Sequence, residues 1–374
     1  MQQTPAYRLP AEWEPQWGVQ LTWPHEDTDW KPYLGDITDT YIEMAQAIAA
    51  REKLLVVTPH VAEVKALLQG KVEMRNVVFH ECPTNDTWAR DHGFITLCPT
   101  DNRHSLTSHP SPLIPHPSSF IPHPSLLLDF CFNGWGGKFE AGKDNAINRS
   151  LMRLFSSEVE QPLMPASYES HLDFVLEGGS IESDGKGTVF TTTGCLMAPH
   201  RNQPMTQGEI ERELLQRLHA QRIVWIDYGH LAGDDTDGHI DTLVRIAPDD
   251  TLLYIYTDDP NDEHFDDLKR MKEQLETFRT LDGRPYRLLG LPLPNAIYDE
   301  GERLPATYAN FLVINGAVLV PTYRQPELDQ LAIATIQRAF PDREMIPIDS
   351  STIVRQHGSI HCCTMQFVSL NIED

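Results

Sequence analysis

Strand-length apolar runs alternate with helix-length amphipathic stretches along most of the chain, which excludes an all-helical bundle and a pure β-sandwich. Apolar residues at helical spacing predict helices at 39–52, 61–69, 143–156, 207–219, 262–278 and 327–339. Thr206 with Glu209 three residues on has capping-box spacing and marks one helix start. β-branched and aromatic runs predict strands at 54–57, 75–80, 93–98, 126–132, 187–192, 240–247, 251–256, 309–320 and 364–370. The interleaved order is that of an α/β or α+β protein. At 374 residues the chain could form two domains or one large repetitive one, and its 40% hydrophobic content can fill a sizeable core.

One segment breaks the alternation. In HPSPLIPHPSSFIPHPS, residues 109–125, HPS recurs at 109, 116 and 123. Proline at these positions forbids a helix, so an extended, poorly packed insertion is expected at about 101–125, outside the active site. His109, His116 and His123 have no carboxylate partner in this tract and read as a repeated loop rather than a metal site.

The 30 basic residues stand against 54 acidic ones, a formal net charge of -24. This argues against a general nucleic-acid binder, which needs basic density to displace counterions from phosphate. It is compatible with a cationic substrate, whose local concentration a negative field raises. Six cysteines occur without a CxxC pair, and a disulfide between adjacent Cys362 and Cys363 would be strained. No basic-then-apolar leader opens the sequence, and FLVINGAVLV at 311–320 is too short to span a membrane. A reducing, cytoplasmic setting away from membranes is the expectation.

Four dense polar blocks adjoin strand candidates: NDTWARDHGF (85–94), LEGGSIESDGKGT (176–188), GDDTDGHIDTLVRI (233–246) and QHGSIHCCTMQF (356–367). The last offers two cysteines, and a thiolate there could attack an electrophile. On an extended chain Cys362 and Cys363 face opposite sides, so one faces a site and the other the core; local sequence does not choose between them. In the third block His239 and Asp241 are two apart and would share one face of a strand, a proton carrier beside a carboxylate. DDTDG fails the EF-hand pattern, because glycine arrives too early and no glutamate closes the loop. In the first block Trp88 could stack on a planar cation and Asp91 could accept two N–H donors from a guanidinium, while Arg90 suits a framework ion pair. In the second, SDGKGT reads as a hairpin turn and Glu177 precedes a glycine pair; neither a dinucleotide fingerprint nor a Walker A motif is present. His361, Cys362, His239 and Asp241 also contain enough ligand types for zinc, although their spacing is not that of a structural site.

Taken together, WARDHG (88–93), EGGSIESDGKGT (177–188), DDTDGHID (234–241) and HGSIHCCTMQ (357–366) resemble the agmatine deiminase family, which includes the bacterial-type peptidylarginine deiminases. FNGWGGK (132–138) and EWEPQWGVQLTWPH (12–25) extend the similarity from about residue 8 to 370. HGS at 357–359 stands where the family more usually has three glycines.

The resemblance implies a pentein-type five-bladed α/β propeller with pseudo-fivefold symmetry, residues 1–374 forming a single deiminase domain. It implies Cys362 as nucleophile, His239 as general acid/base, Asp91 and Asp241 as the guanidinium grip, and Trp88 and Glu177 near the substrate. It implies a small guanidinium substrate, no metal or organic cofactor, and leans towards a homodimer. Agmatine, with a second cation at its far end, would meet an acidic or aromatic wall, for which Asp234 and Asp235 are the candidates. Arginine, peptidyl-arginine and a non-catalytic guanidinium-binding role are the rival readings.

Overall fold

The computed structural model describes residues 7–100, 124–155, 163–164 and 166–369. Five times, a short strand pairs antiparallel with a second strand, a helix crosses over, and a third strand returns parallel to the second. Parallel pairing requires such a crossover, since a tight turn cannot reverse the chain twice.

The clearest copies are Ile181–Ser183, Thr188–Thr192, helix Gln207–Arg217 and Arg222–Ile226; Val244–Ala247, Thr251–Tyr256, helix Phe265–Thr277 and Arg287–Pro292; and Leu312–Ile314, Ala317–Thr322, helix Pro326–Ala339 and Glu344–Asp349. A fourth runs Ile95–Pro99, Ser125–Cys131, helix Asp144–Phe155 and Ala166–Val175, with Tyr7–Arg8 added at its edge. The fifth is closed from both ends of the chain. Thr364–Val368 pairs antiparallel with Gln16–Thr22, helix Leu34–Ala49 follows, and Lys53–Thr58 and Val77–Glu81 add in parallel. This is the pentein-type five-bladed α/β propeller that the resemblance implied.

The inner strands are apolar on both faces because each is covered on both sides. Leu54 to Val57 and Val318 to Val320 are fully buried, each such side chain stabilising the fold by about 1.5–3 kcal/mol. Glu209 accepts hydrogen bonds from the Thr206 amide and hydroxyl at 2.8 Å each, the contact that the capping-box spacing predicted.

Two strand expectations need correction. The run 309–320 is a hairpin, broken at Asn315–Gly316, where Gly316 has φ +73°. The run 240–247 begins as a 3-10 turn, Ile240–Thr242, and becomes strand only at Val244. His239 and Asp241 therefore converge through a turn rather than along one face of a strand. Of the expected insertion, only Pro124 and Ser125 are among the described residues, and Ser125 opens a strand. His109, His116 and His123 lie outside the described residues. Among the described residues no helix is long and apolar enough to cross a membrane.

Candidate active site

Ahead of the first strand of each module the chain makes a short turn, and the five turns meet at the centre of the ring. They carry Asp91 (Ala89–His92), Gly179 (Gly178–Ser180), Asp241 (Ile240–Thr242), Asn310 and Cys362. The Arg90 amide donates to the Cys362 carbonyl at 3.1 Å. Asn310 Oδ1 accepts from the Cys362 amide at 3.2 Å, while its Nδ2 donates to the Asp241 carbonyl at 3.4 Å.

Gly179 allows this convergence. A Cβ there would lie 2.6 Å from His239 Nδ1, 2.8 Å from Asp91 Oδ1 and 3.2 Å from Asp241 Oδ2. Gly358 makes room for an aromatic ring. A Cβ at that position would strike the Trp88 ring at 2.2 Å, so the glycine lets the indole lie against the cysteine loop.

A cavity of about 240 Å³ opens on Cys362 and is lined by Trp88, Asp91, Trp135, Phe139, Asp29, Asp86, Asp235 and His357, among others. No lysine or arginine occurs among the described residues that line it. Cys363 lies instead in the apolar core with Tyr41, separated from Cys362 by a turn rather than by strand alternation.

The carboxylates are fixed before any substrate arrives. Asp91 Oδ1 accepts from the Gly179 amide at 3.1 Å, and its Oδ2 accepts from Trp135 Nε1 at 2.9 Å. Asp241 Oδ2 faces His361 Nδ1 at 2.7 Å and Cys362 Sγ at 3.8 Å, while its Oδ1 is buried with no hydrogen-bond partner. Burial raises the Asp91 pKa to about 6, with the nearby Asp241 adding to the rise and His239 opposing it. Burial also pushes the Cys362 thiol well above its ordinary value, and Asp241 and Asp91 push it further. Asp241 moves the other way: burial opposes its charge, but the His361 hydrogen bond and the positive charges of His361, His239 and Arg245 together outweigh burial and hold its pKa down.

His239 is fully buried, with Nδ1 3.6 Å from Asp91 Oδ1. Burial disfavours its cation, yet Asp91 and the acidic groups around it prevail and raise its pKa to about 10. Glu177 is buried beside His239, where Arg201 Nε donates to both its oxygens at 3.0 and 3.2 Å. It does not line the cavity. Asp235 does, with its Oδ2 2.9 Å from His357 Nδ1. Asp234, expected beside it, turns inward instead. Its oxygens accept from the Thr236 amide and hydroxyl at 3.0 and 2.6 Å and from the Gly238 amide at 2.6 Å, which shapes the loop leading to His239.

A second cavity, about 60 Å³, is lined by the residues preceding three of these site positions: Arg90, Gly178 and His361. Here Arg245 Nη2 donates to Glu12 Oε2 at 2.6 Å and Arg245 Nε to Glu182 Oε1 at 2.5 Å. His361 Nε2 faces the same Glu12 oxygen at 2.8 Å. Both His361 nitrogens therefore meet carboxylates, which disfavours the zinc quartet of His361, Cys362, His239 and Asp241. Arg90, expected in a framework ion pair, instead donates from Nε to the His361 carbonyl at 3.3 Å, and its Nη2 is buried without a hydrogen-bond partner.

Sequence reasoning missed Glu12, Glu182, Arg245, Asn310, Asp29 and Asp86. Glu12, Asp86, Glu182 and Arg245 sit in segments already singled out, but nothing local marks their partners.

A five-module ring with a cysteine, a histidine and two carboxylates at its centre defines a deiminase-type hydrolase of guanidino groups. The family model for the Porphyromonas-type peptidyl-arginine deiminases matches residues 8–367, and the chain belongs to that family. Agmatine deiminase from Pseudomonas aeruginosa is 30% identical, over 96% of this chain and 95% of its own length. A Porphyromonas gingivalis structure provisionally named an arginine deiminase is 44% identical, covering 97% and 98% of the two chains at TM-score 0.84. A cysteine-to-serine variant of the C. jejuni agmatine deiminase, solved with substrate bound, is 32% identical, covering 99% and 98% at TM-score 0.83.

Proposed function

We propose that the chain hydrolyses agmatine to N-carbamoylputrescine and ammonia, with Cys362 as nucleophile. The observation that carries the agmatine reading is the cavity wall: Asp29, Asp86 and Asp235 join Asp91 around the thiol, with no arginine or lysine in the described lining. A substrate that is cationic at both ends suits such a wall. The α-carboxylate of free arginine would meet like charge there, with no guanidinium to receive it.

Asp91 and the open Oδ1 of Asp241 grip the guanidinium nitrogens and align its carbon with Cys362 Sγ. The incoming cation offsets the two carboxylates that hold the thiol proton on, so substrate binding favours the thiolate and the proton passes to solvent. The thiolate attacks the guanidinium carbon to form a tetrahedral adduct. His239, protonated at neutral pH, gives a proton to the departing nitrogen, and the C–N bond breaks to release ammonia. An amidino-thioether remains on Cys362. His239, now neutral, takes a proton from water as the water attacks; the C–S bond then breaks to return the thiolate, and the adduct's remaining hydroxyl proton passes to solvent as the ureido product forms. Trp88 and Trp135 wall the cavity with aromatic faces suited to a planar cation. Glu177 acts from beside His239, and Asp235 receives the distal ammonium.

Agmatine, arginine and a blocked arginine peptide, assayed side by side for ammonia release with and without chelator, test this reading. Agmatine is expected to lead by at least about tenfold in kcat/KM, the equivalent of one charge contact of about 1.4 kcal/mol. Equal rates on all three would overturn the assignment to agmatine.

A further inference from the structure

Of the buried cysteines that the mechanism leaves unused, Cys195 is the one that lies against His239. Cys195 lies in the short helix Thr193–Leu196, fully buried, and is not part of the substrate cavity. Its thiol, a His239 ring nitrogen and a Glu177 carboxylate oxygen all lie within 4.8 Å of one another.

We propose that Cys195, His239 and Glu177 form a binding site for a soft divalent cation of the zinc type, and that filling it arrests the enzyme. Thiolate, imidazole and carboxylate are the donor set zinc prefers. Once it gives up its proton the imidazole can serve, since neither ring nitrogen of the fully buried His239 is held by a close hydrogen bond, Asp91 Oδ1 standing 3.6 Å from Nδ1. Glu177 gives both oxygens to a single Arg201 nitrogen, so each keeps a lone pair. The donors are also held in place. Thr192 Oγ1 accepts from the Cys195 amide at 3.2 Å and donates to the Gly238 carbonyl at 2.6 Å, tying the cysteine turn to the residue before His239. Among the described residues the other cluster of this kind, Glu12, Glu182 and His361, differs because Arg245 contacts all three of its members, whereas here Arg201 contacts only Glu177 of the three.

Binding breaks the Cys195 S–H bond and one N–H bond of the His239 imidazolium, forms the sulfur–metal and nitrogen–metal bonds and releases two protons to solvent, with no change of oxidation state. The metal then holds the His239 lone pair, and the ring can no longer take up and give back the proton that the reaction needs. Binding stands on the donor geometry alone; only the inhibition rests on the role proposed for His239.

Cobalt(II) titration of the full chain separates the two. In the Cys362→Ser variant, one Co²⁺ per chain with a thiolate-to-cobalt charge-transfer band is expected. Cys195→Ser should lose that band while keeping the parent melting temperature, and Cys195→Ala serves as a second variant if the serine form does not fold. Zinc should inhibit the parent enzyme without competing with substrate, reversibly on chelation. Cys195→Ser should need at least about tenfold more zinc, the loss that even one outer-shell partner costs a metal site. A band that persists without the Cys195 thiol, or one that disappears in Cys362→Ser, overturns the site. Competitive inhibition with the Cys195-dependent band intact overturns the inhibitory role and leaves the binding standing.

Discussion

The two central cavities share three turns but hold charge in different ways. In the smaller one the charges are matched: burial would raise the Glu12 pKa, but Arg245 and His361 hold it well below the carboxylate range. Arg245 is in turn held above its ordinary value by Glu182 and Glu12, against its burial. In the larger one the carboxylates have no lysine or arginine beside them, and burial lifts both Asp86 and Asp91 to about 6. Carboxylates each held by a buried arginine are framework; buried carboxylates with no arginine or lysine beside them suit a site awaiting a cation. One residue can serve both, since His361 joins Glu12 of the first to Asp241, which stands behind Cys362 of the second.

The sharpest way to break this contrast is to remove the thiol. Cys362→Ser should lower ammonia release by at least about 10⁴-fold with little change in melting temperature, whereas Cys363→Ala should keep the chemistry. Glu12→Gln should do the reverse. It leaves Arg245 short of one buried partner, so denaturant unfolding should show a loss of about 3–5 kcal/mol. If stability were unchanged, the smaller cavity would not be framework. Gly179→Ala crowds His239 and Asp91 together and should cost about 10²-fold in kcat.

The pH profile follows from the two raised pKa values. Asp91 must be ionised to grip the guanidinium, so kcat/KM should fall as pH drops through about 6. His239 must carry a proton, so it should fall again as pH rises through about 10. Trp135→Phe removes a hydrogen bond that favours the Asp91 anion, which should move the acid limb upward and cost about tenfold in kcat/KM. The smallest effect is expected at the rim. Asp235→Asn should raise KM for agmatine about fivefold with kcat nearly intact, since this carboxylate is partly solvated and already faces His357.

How much of this was legible depended on whether a signal was local. Inner strands such as Lys53–Thr58 announced themselves as unbroken apolar runs. The outer third strands did not: Ala166–Val175 is largely polar and half-exposed, and Glu344–Asp349 carries Pro347, which only a sheet edge tolerates. With those strands unread, five repeats could not be counted. Closure by Thr364–Val368 onto Gln16–Thr22 was equally hidden, because one module is split between distant stretches of chain.

The site divides along the same line. Cys362, His239, Asp91 and Asp241 stand in dense polar blocks, so their chemistry was open to reading. Glu12 and Arg245 are 233 positions apart and meet only through the fold. Asp234 and Asp235 are adjacent and chemically identical, yet one closes its own loop while the other lines the cavity. Only backbone geometry separates them.

The central claim is a covalent intermediate on Cys362, and rapid quenching during turnover of agmatine followed by peptide mass analysis tests it most directly. The account predicts an amidino adduct on the peptide containing residues 362 and 363, fragmenting to Cys362 and absent from Cys362→Ser. An adduct on Cys363 or Cys195, or full ammonia release by Cys362→Ser, would contradict it.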